Sequence, residues 1–260
     1  MTDLTLLIKT SSGRQLKQID ELLKSEFENL SVEIKVLGSP VNKWVKVSIS
    51  GEDEVIATSY INKKIGTCPI SIKKVDKFSV LKGYISKVDT VNQELMVDVG
   101  VFEPKVLQAT IPLGYLQAQL VDGKKVTLQK ISEIYGFKEN LPLTIKVIRL
   151  NDEKETVLPS ELSAEQIEKI RLWRQSLLDK LIILGASLVE IETVLERTWL
   201  NRDIINTETL GMFEHALTCK LGTDAAGLVS KVGRYMRNAE LIVFNPKKIV
   251  DAIGESALNS

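Results

Sequence analysis

Residues 82–116 constrain the fold more than any other part of the chain, because apolar residues alternate with polar ones there in three successive runs. Such alternation is typical of half-buried β-strands. A polar turn at residues 89–92 separates the first two runs, and Gly100 ends the second. Helical spacing follows at residues 115–120, and another alternating run covers residues 143–150. We therefore predict a small, strongly curved antiparallel barrel.

Two segments of this stretch, GYISKV at residues 83–88 and MVDVG at residues 96–100, resemble the S1 type of OB-fold. The resemblance implies a module that binds single-stranded RNA through aromatic residues on an exposed strand face. Met96 stands where S1 domains commonly have phenylalanine, and Pro112 stands where they commonly have histidine. Residues 123–141 form an excursion that a minimal S1 domain lacks. The prediction for residues 69–151 is an S1/OB-like barrel with an insertion.

The first 68 residues predict a small α/β domain with the order strand, helix, strand, strand, helix. Ser11 and Ser12 precede the first helical pattern, and the turn Gly38-Ser39-Pro40 separates the alternating runs of a hairpin. Ser50 is the candidate cap of the second helix. The domain ends at Cys68, because Pro69 disfavours helical geometry in the residue before it. Trp44 is interpreted as a packing residue.

Residues 158–260 predict a mainly helical domain, so the whole chain is expected to be a multidomain α+β protein. Ser163 with Gln166 and Ser187 with Glu190 have the spacing of capping boxes. Further helices are predicted at residues 207–220 and 223–237, followed by a strand at residues 241–244 and a short helix. We expect Trp173 and Leu177 to be buried on one helical stripe with these residues: Ile167, Ile170, Leu181 and Leu184.

The segment RDIINTETLGMFEHALTCKLGTDAAGLVSKVGRYM, residues 202–236, together with the GEDE start of the second helix and the S1-like middle, resembles an archaeal protein family described only as a domain of unknown function. The resemblance covers essentially the whole chain in the same three-part order. It implies an archaeal cytoplasmic protein and brings no catalytic residues with it.

The composition of the chain argues against a membrane protein, a secreted protein and a metalloprotein. No run of about 18 apolar residues is present, and the polar start MTDLTLLIKTSSGR lacks the order of a signal peptide, so we expect a cytoplasmic protein without a membrane span. Cys68 and Cys219 have no metal-binding spacing, and the only histidine, His215, lies in a segment with helical character. We therefore predict no zinc, no other metal and no cofactor.

Candidate catalytic sites are few. Residues 221–227 could form an anion-binding turn, but Gly222 as a helix end and Thr223 as a helix cap explain the same pattern. The carboxylates are numerous, yet no pair has an apolar setting that would separate the two pKa values. Without a triad, metal spacing or cofactor loop, we predict that the protein is not an enzyme.

Charge is distributed unevenly along a chain of zero net charge. Residues 61–150 carry 14 Lys and Arg against 8 Asp and Glu, whereas the segments before and after them are both acidic. The excess of positive charge thus coincides with the segment that resembles a nucleic-acid-binding fold, and Phe78 lies among these lysines. The residues predicted to contact single-stranded RNA are Lys82, Tyr84, Lys87, Lys124 and Lys125.

Two functions follow from these observations. The first is a non-enzymatic RNA-binding protein of the translation or RNA-processing machinery, with ribosomal, transfer or nascent RNA as partner. The alternative is a protein–protein adaptor of the transcription or translation apparatus, in contact with ribosome or RNA polymerase components, whose barrel binds no nucleic acid. Lysines that converge on one barrel face would favour the first, and lysines scattered beside a groove would favour the second.

Overall fold

The computed structural model describes residues 1–149 and 157–254 and divides the chain into two compact units. The first unit comprises Met1–Val75 and Val99–Leu107. The second comprises Asp76–Asp98 and all of the chain from Gln108 onward. The described part contains helices and strands in comparable amounts, so the predicted α+β class is confirmed.

The first unit has the predicted order strand, helix, strand, strand, helix. Its antiparallel sheet has the order β1-β3-β2. Ser12 caps α1 by accepting a hydrogen bond from the Gln15 N–H, and Trp44 is buried as a packing residue. The elements are β1 (Thr2–Lys9), α1 (Gly13–Glu26), β2 (Val32–Val41), β3 (Trp44–Gly51), α2 (Glu54–Lys64) and β4 (Ile70–Ser71).

Two local predictions in this unit are wrong. The hairpin turn lies at Asn42 and Lys43, both with positive φ, because β2 continues through the Gly38-Ser39-Pro40 segment to Val41. The residue that precedes α2 is Asp53, not Ser50, which is still part of β3. Both errors concern where an element ends, which is the least determined feature of a sequence pattern.

The middle of the chain forms a five-stranded closed barrel. Neighbouring strands follow the order β6-β5-β8-β9-β7, and a further pairing between β6 and β7 closes the ring. The pairing of β7 with β9 is parallel, whereas β5 pairs antiparallel with both β6 and β8. The elements are β5 (Val80–Asp89), β6 (Glu94–Glu103), β7 (Leu107–Pro112), α3 (Leu113–Leu120), α4 (Leu128–Tyr135), β8 (Pro142–Val147), β9 (Val157–Leu162) and α5 (Ala164–Gln175).

The alternation in the sequence explains why this barrel closes. Leu95, Val97, Val99 and Val101 on β6 are all fully buried, as period-two side chains that point into a barrel must be. The predicted insertion contains α4, which begins after the Thr127 cap and ends at a left-handed glycine. The barrel also extends beyond the predicted boundary, because β9 pairs with β8 and β7 although its residues were assigned to the C-terminal domain.

The C-terminal region is not mainly helical, which corrects the prediction. A four-stranded antiparallel sheet with the order β11-β12-β10-β13 forms its centre. The predicted helix over residues 207–220 is in fact the hairpin of β11 and β12, and the strand predicted at residues 241–244 is confirmed. The elements are β10 (Lys180–Leu184), α6 (Leu188–Arg197), β11 (Ile204–Thr209), β12 (Glu214–Cys219), α7 (Ala225–Val232), β13 (Glu240–Phe244) and α8 (Pro246–Ile253).

The predicted helical stripe crosses two different elements. α5 stops at Gln175, and Leu181 and Leu184 lie on β10. Leu177 follows the helix with a left-handed φ of 53° and is 45% exposed, so the expected burial of this residue is wrong. Trp173, also expected to be buried, is only partly buried. The cause is that every residue of β10 and β12 is buried, and apolar and polar residues do not alternate along either strand.

The two central strands of the sheet, β10 and β12, are buried on both faces. One face packs against α6 and α7 through a core that includes Leu181, Ile183, Leu217 and Cys219. The other face carries Phe244, whose ring meets Trp173 of α5 edge to face at 5.3 Å. The capping boxes predicted for this region hold in part: Ser187 and Glu190 form a complete one at α6, whereas Ser163 caps α5 from one side only.

Candidate nucleic-acid interface

Two of the five predicted RNA contacts lie inside the second unit, between the barrel and the β11–β12 hairpin. The Lys82 ammonium donates a hydrogen bond to the Leu210 carbonyl oxygen over 2.7 Å. Tyr84 is fully buried, and its hydroxyl donates to Glu214 Oε2 over 3.3 Å. A buried ring has no free face on which a base could stack, so Tyr84 does not fit the predicted role.

The electrostatics of this buried cluster explain its composition. Burial raises the pKa of Glu214 to about 7, although the Phe213 N–H, the Tyr84 hydroxyl and the Lys82 charge all favour the carboxylate. Burial likewise lowers the pKa of Lys82, and attraction to Glu214 opposes that shift. Gly211 lies beside them, and a Cβ there would displace the Glu214 carboxylate from its present position. The cluster joins the barrel to the C-terminal sheet.

The other three predicted contacts lie elsewhere. The Lys87 ammonium pairs with the Asp89 carboxylate at 3.0 Å, and this contact is the main reason why the pKa of Asp89 is lowered to about 2. Lys124 donates to the Ile253 carbonyl at the end of α8. Lys125 is exposed in the α3–α4 connection. The five residues therefore do not form one surface.

A different aromatic residue of the barrel is open to solvent. The Phe78 side chain is 55% exposed, and the ammonium groups of Lys77 and Lys146 lie 4.8 and 5.3 Å from its ring centroid. The Phe78 N–H donates to the Val147 carbonyl over 2.8 Å, which fixes the residue beside the end of β8. We call Lys77, Phe78 and Lys146 the Phe78 cluster.

Sequence reasoning noted Phe78 among the lysines but did not select it. Lys77 is its neighbour in the chain, so half of the cluster has a local signal. Lys146 comes close only because β5 pairs with β8 in a register that places Val80 opposite Lys146. Such a cluster can attract a base through the ring and a phosphate through Lys77, whereas the Lys146 ammonium is also paired with Glu161 at 3.2 Å.

The histidine and cysteine side chains in the described ranges are buried. No three His, Cys, Asp or Glu side chains there are grouped closely enough to hold a metal ion. His215 lies on β12 rather than on a helix, and burial lowers its pKa. Burial also raises the pKa of the Cys219 thiol to about 11, which keeps it protonated. Asp224, not Thr223, caps α7.

The same ranges, residues 1–149 and 157–254, contain no helix that is both long and apolar enough to cross a lipid bilayer.

Comparison with models of protein families shows to which family the chain belongs. Models of the N-terminal, central and C-terminal domains of the DUF2110 family match residues 4–71, 75–174 and 178–244, respectively. These matches cover most of the chain, which therefore belongs to the DUF2110 family. The expected membership in an uncharacterised three-part family is thereby confirmed. The central model extends through α5, in line with β9 being a barrel strand. No curated protein matches the chain.

Proposed function

We propose that this member of the DUF2110 family is a non-enzymatic protein that binds single-stranded RNA through its central barrel. The observation that carries the proposal is the Phe78 cluster, an exposed ring with two ammonium groups beside it on the barrel. Aromatic rings and lysines in combination are how single-stranded nucleic acid is bound without sequence readout.

The topology of the barrel supports the S1/OB interpretation. Its third and fifth strands, β7 and β9, pair in parallel, and α3 and α4 lie between the third and fourth strands. Strands in this order, closed into a five-stranded Greek-key barrel, are characteristic of OB-folds, which bind oligonucleotides. The S1 subtype, the archaeal source and the cytoplasmic location stay predictions, as do ribosomal, transfer or nascent RNA as the partner.

The expected affinity is modest. Stacking of one base contributes about 1–3 kcal/mol, and the Phe78 cluster offers one ring. Each lysine that neutralises a phosphate adds a contribution that decreases as salt rises. We therefore expect weak binding that decreases steeply with salt, unless the target RNA engages further residues such as Lys87 and Lys125.

The test is fluorescence anisotropy of a labelled single-stranded RNA with the intact protein at several salt concentrations. Phe78→Ala should weaken binding by roughly five- to a hundredfold, the value of one stacked base. Phe78→Leu is the matched control for apolar area, since it keeps a side chain of similar bulk without a ring. Lys87→Glu and Lys125→Glu test the lysines predicted from the sequence. Lys82 is left unchanged, because a carboxylate there would face Glu214.

Two outcomes of this experiment would contradict RNA binding at the Phe78 cluster. If the intact protein binds no RNA at low salt, or if Phe78→Ala and Phe78→Leu both bind as the wild type does, the Phe78 cluster is not an RNA site. The adaptor function, in which the protein contacts components of the transcription or translation apparatus, then becomes the better proposal.

A further inference from the structure

The strand β13 lies at one edge of the C-terminal sheet, and its backbone polarity can be deduced from its neighbour. The Cys219 N–H donates to the Asp179 carbonyl over 2.9 Å, and the Gly185 N–H donates to the Phe213 carbonyl over 2.7 Å. Odd-numbered residues of β10 thus direct their backbone groups towards β12. The even-numbered residues of β10 stand opposite Glu240, Ile242 and Phe244, so their N–H and C=O groups must point towards β13.

It follows that Leu241 and Val243 direct their N–H and C=O groups away from the sheet. In the part of the chain that the structure describes, these two donors and two acceptors have no backbone partner. Their side chains, in contrast, are packed against the core formed with α6 and α7. The strand is therefore held firmly in place while one row of its hydrogen-bonding groups stays open.

Open space lies along this edge. A groove of about 1030 Å³ is lined by Glu240, Leu241, Ile242 and Val243 on one side and by α4 and the end of β5 on the other. A second cleft of about 490 Å³ shares Val243 and continues past it towards α8. The Ser132 side chain lines the groove, and its buried hydroxyl oxygen has no hydrogen-bond partner among the described residues.

The charges of the groove indicate which kind of polymer fits. Glu133, Glu139 and Glu240 line it, so the phosphates of a nucleic acid would meet three carboxylates. The lysines of the groove are Lys87, which is paired with Asp89, and Lys138. The groove is lined by acidic, basic and apolar side chains, which together complement the varied side chains of a polypeptide. The open N–H and C=O groups of β13 can pair with an extended backbone.

We propose that β13 is a docking edge, at which an extended segment of a partner polypeptide adds to the C-terminal sheet as a fifth strand. Leu241 and Val243 supply the backbone hydrogen bonds, and α4 forms the opposite wall. The site is separate from the Phe78 cluster, so the proposal stands whether or not the barrel binds RNA.

The probe is a library of random synthetic peptides of about ten residues, from which the tightest binder to the intact protein is selected. With that peptide bound, the amide hydrogens of Leu241 and Val243 should exchange with solvent more slowly. Those of Ile242 and Phe244, which already face β10, should change little. This readout locates the peptide independently of its sequence.

A matched pair of variants tests the backbone contact. Val243→Pro removes one outward N–H, at an edge position where proline breaks no bond to β10. Peptide binding should weaken by roughly tenfold, because one hydrogen bond is lost and the ring obstructs the added strand. Val243→Ala removes most of the side chain but keeps the N–H, so binding should stay within about twofold of the wild type. Leu241→Pro with Leu241→Ala repeats the comparison if Val243→Pro fails to fold.

Several results would overturn the proposal. One is that no library peptide binds. Another is that a bound peptide leaves exchange at Leu241 and Val243 unchanged. If these amides exchange more slowly when the protein concentration is raised without any peptide, the occupant is a second copy of the chain. If they exchange more slowly when labelled RNA is added, the occupant is a nucleic acid.

Discussion

Two aromatic rings in the second unit each have two lysine ammonium groups beside them, yet their surroundings differ. Lys169 and Lys180 lie 5.9 and 5.1 Å from the centroid of the Trp173 ring, much as Lys77 and Lys146 lie beside Phe78. Trp173 also donates its indole N–H to Glu208 over 2.8 Å, and Glu208 pairs with Lys169. At Trp173 the partners are internal, whereas the Phe78 ring is open to an external one.

The difference shows that residue types alone do not identify a binding site. The Lys180 ammonium, buried on β10, donates to the Thr218 hydroxyl over 2.6 Å and is thereby satisfied within the sheet. A buried lysine with such partners stabilises a fold, while the exposed Lys77 beside the Phe78 ring keeps its charge available. Lys146, the second lysine at that ring, is paired with Glu161 at 3.2 Å.

Replacing the Trp173 ring should have the largest effect on stability. Trp173→Ala removes the edge-to-face contact with Phe244 and the hydrogen bond to Glu208, so the free energy of unfolding should decrease by about 3 kcal/mol, the lower end for a large aromatic side chain because the ring is only partly buried. Urea titration followed by circular dichroism measures the change. A decrease no larger than that of Phe78→Ala would show that the two rings do not differ as described.

The buried cluster of Lys82, Tyr84 and Glu214 predicts that stability depends on pH. Because the pKa of Glu214 is raised to about 7 in the folded state, its contribution to stability is fully present below about pH 4.5 and is lost as the pH rises through 7. The loss is on the order of 3 kcal/mol. Glu214→Gln should abolish this part of the pH profile, as urea titrations between pH 4 and 8 would show. An unchanged slope would mean that Glu214 is not the titrating group.

The exposed ring should matter little for stability. Phe78→Ala should change the free energy of unfolding by less than about 1 kcal/mol, because more than half of the side chain is already in water. Its effect should instead appear in RNA affinity, measured on the same sample. A large loss of stability would place Phe78 with the packing residues.

The smallest effect concerns the charges beside that ring. Lys77→Gln should reduce the slope of log affinity for RNA against log salt by about 1, as expected for one lost phosphate contact. Lys169→Gln is the matched control, because Lys169 is paired with Glu208 beside the Trp173 ring. Equal slopes for the two variants would contradict a role for Lys77 in phosphate binding.

The sequence predicted those parts of the fold in which apolar and polar residues recur with a regular period. In the barrel, the apolar Leu95, Val97 and Val99 are separated by single residues such as Asp98, so their strand could be assigned before its partners were known. The first unit followed for the same reason. β12 could not be assigned in this way, because Ala216 and Leu217 are adjacent apolar residues and the polar residues around them do not recur at every second position. Without that period, the sequence does not separate strand from helix.

The candidate site could be predicted only in part, because it depends on pairing between distant segments. The positive charge of the barrel segment was visible in the sequence, as was the neighbourhood of Lys77 and Phe78. The burial of Tyr84 was not, since it requires Glu214 from a different domain. Contacts that arise from docking of one domain on another leave no local pattern in the sequence.

The late position of β9 in the chain affects the order in which the barrel can be completed during synthesis. Because β9 lies between β7 and β8, a nascent chain that has emerged only to Arg149 has four barrel strands and two unpaired edges. The residues Val157–Leu162 cover both edges at once. Barrel closure is thus a non-local step that must follow translation of residue 162, and until then the intermediate carries two edges on which other chains can pair.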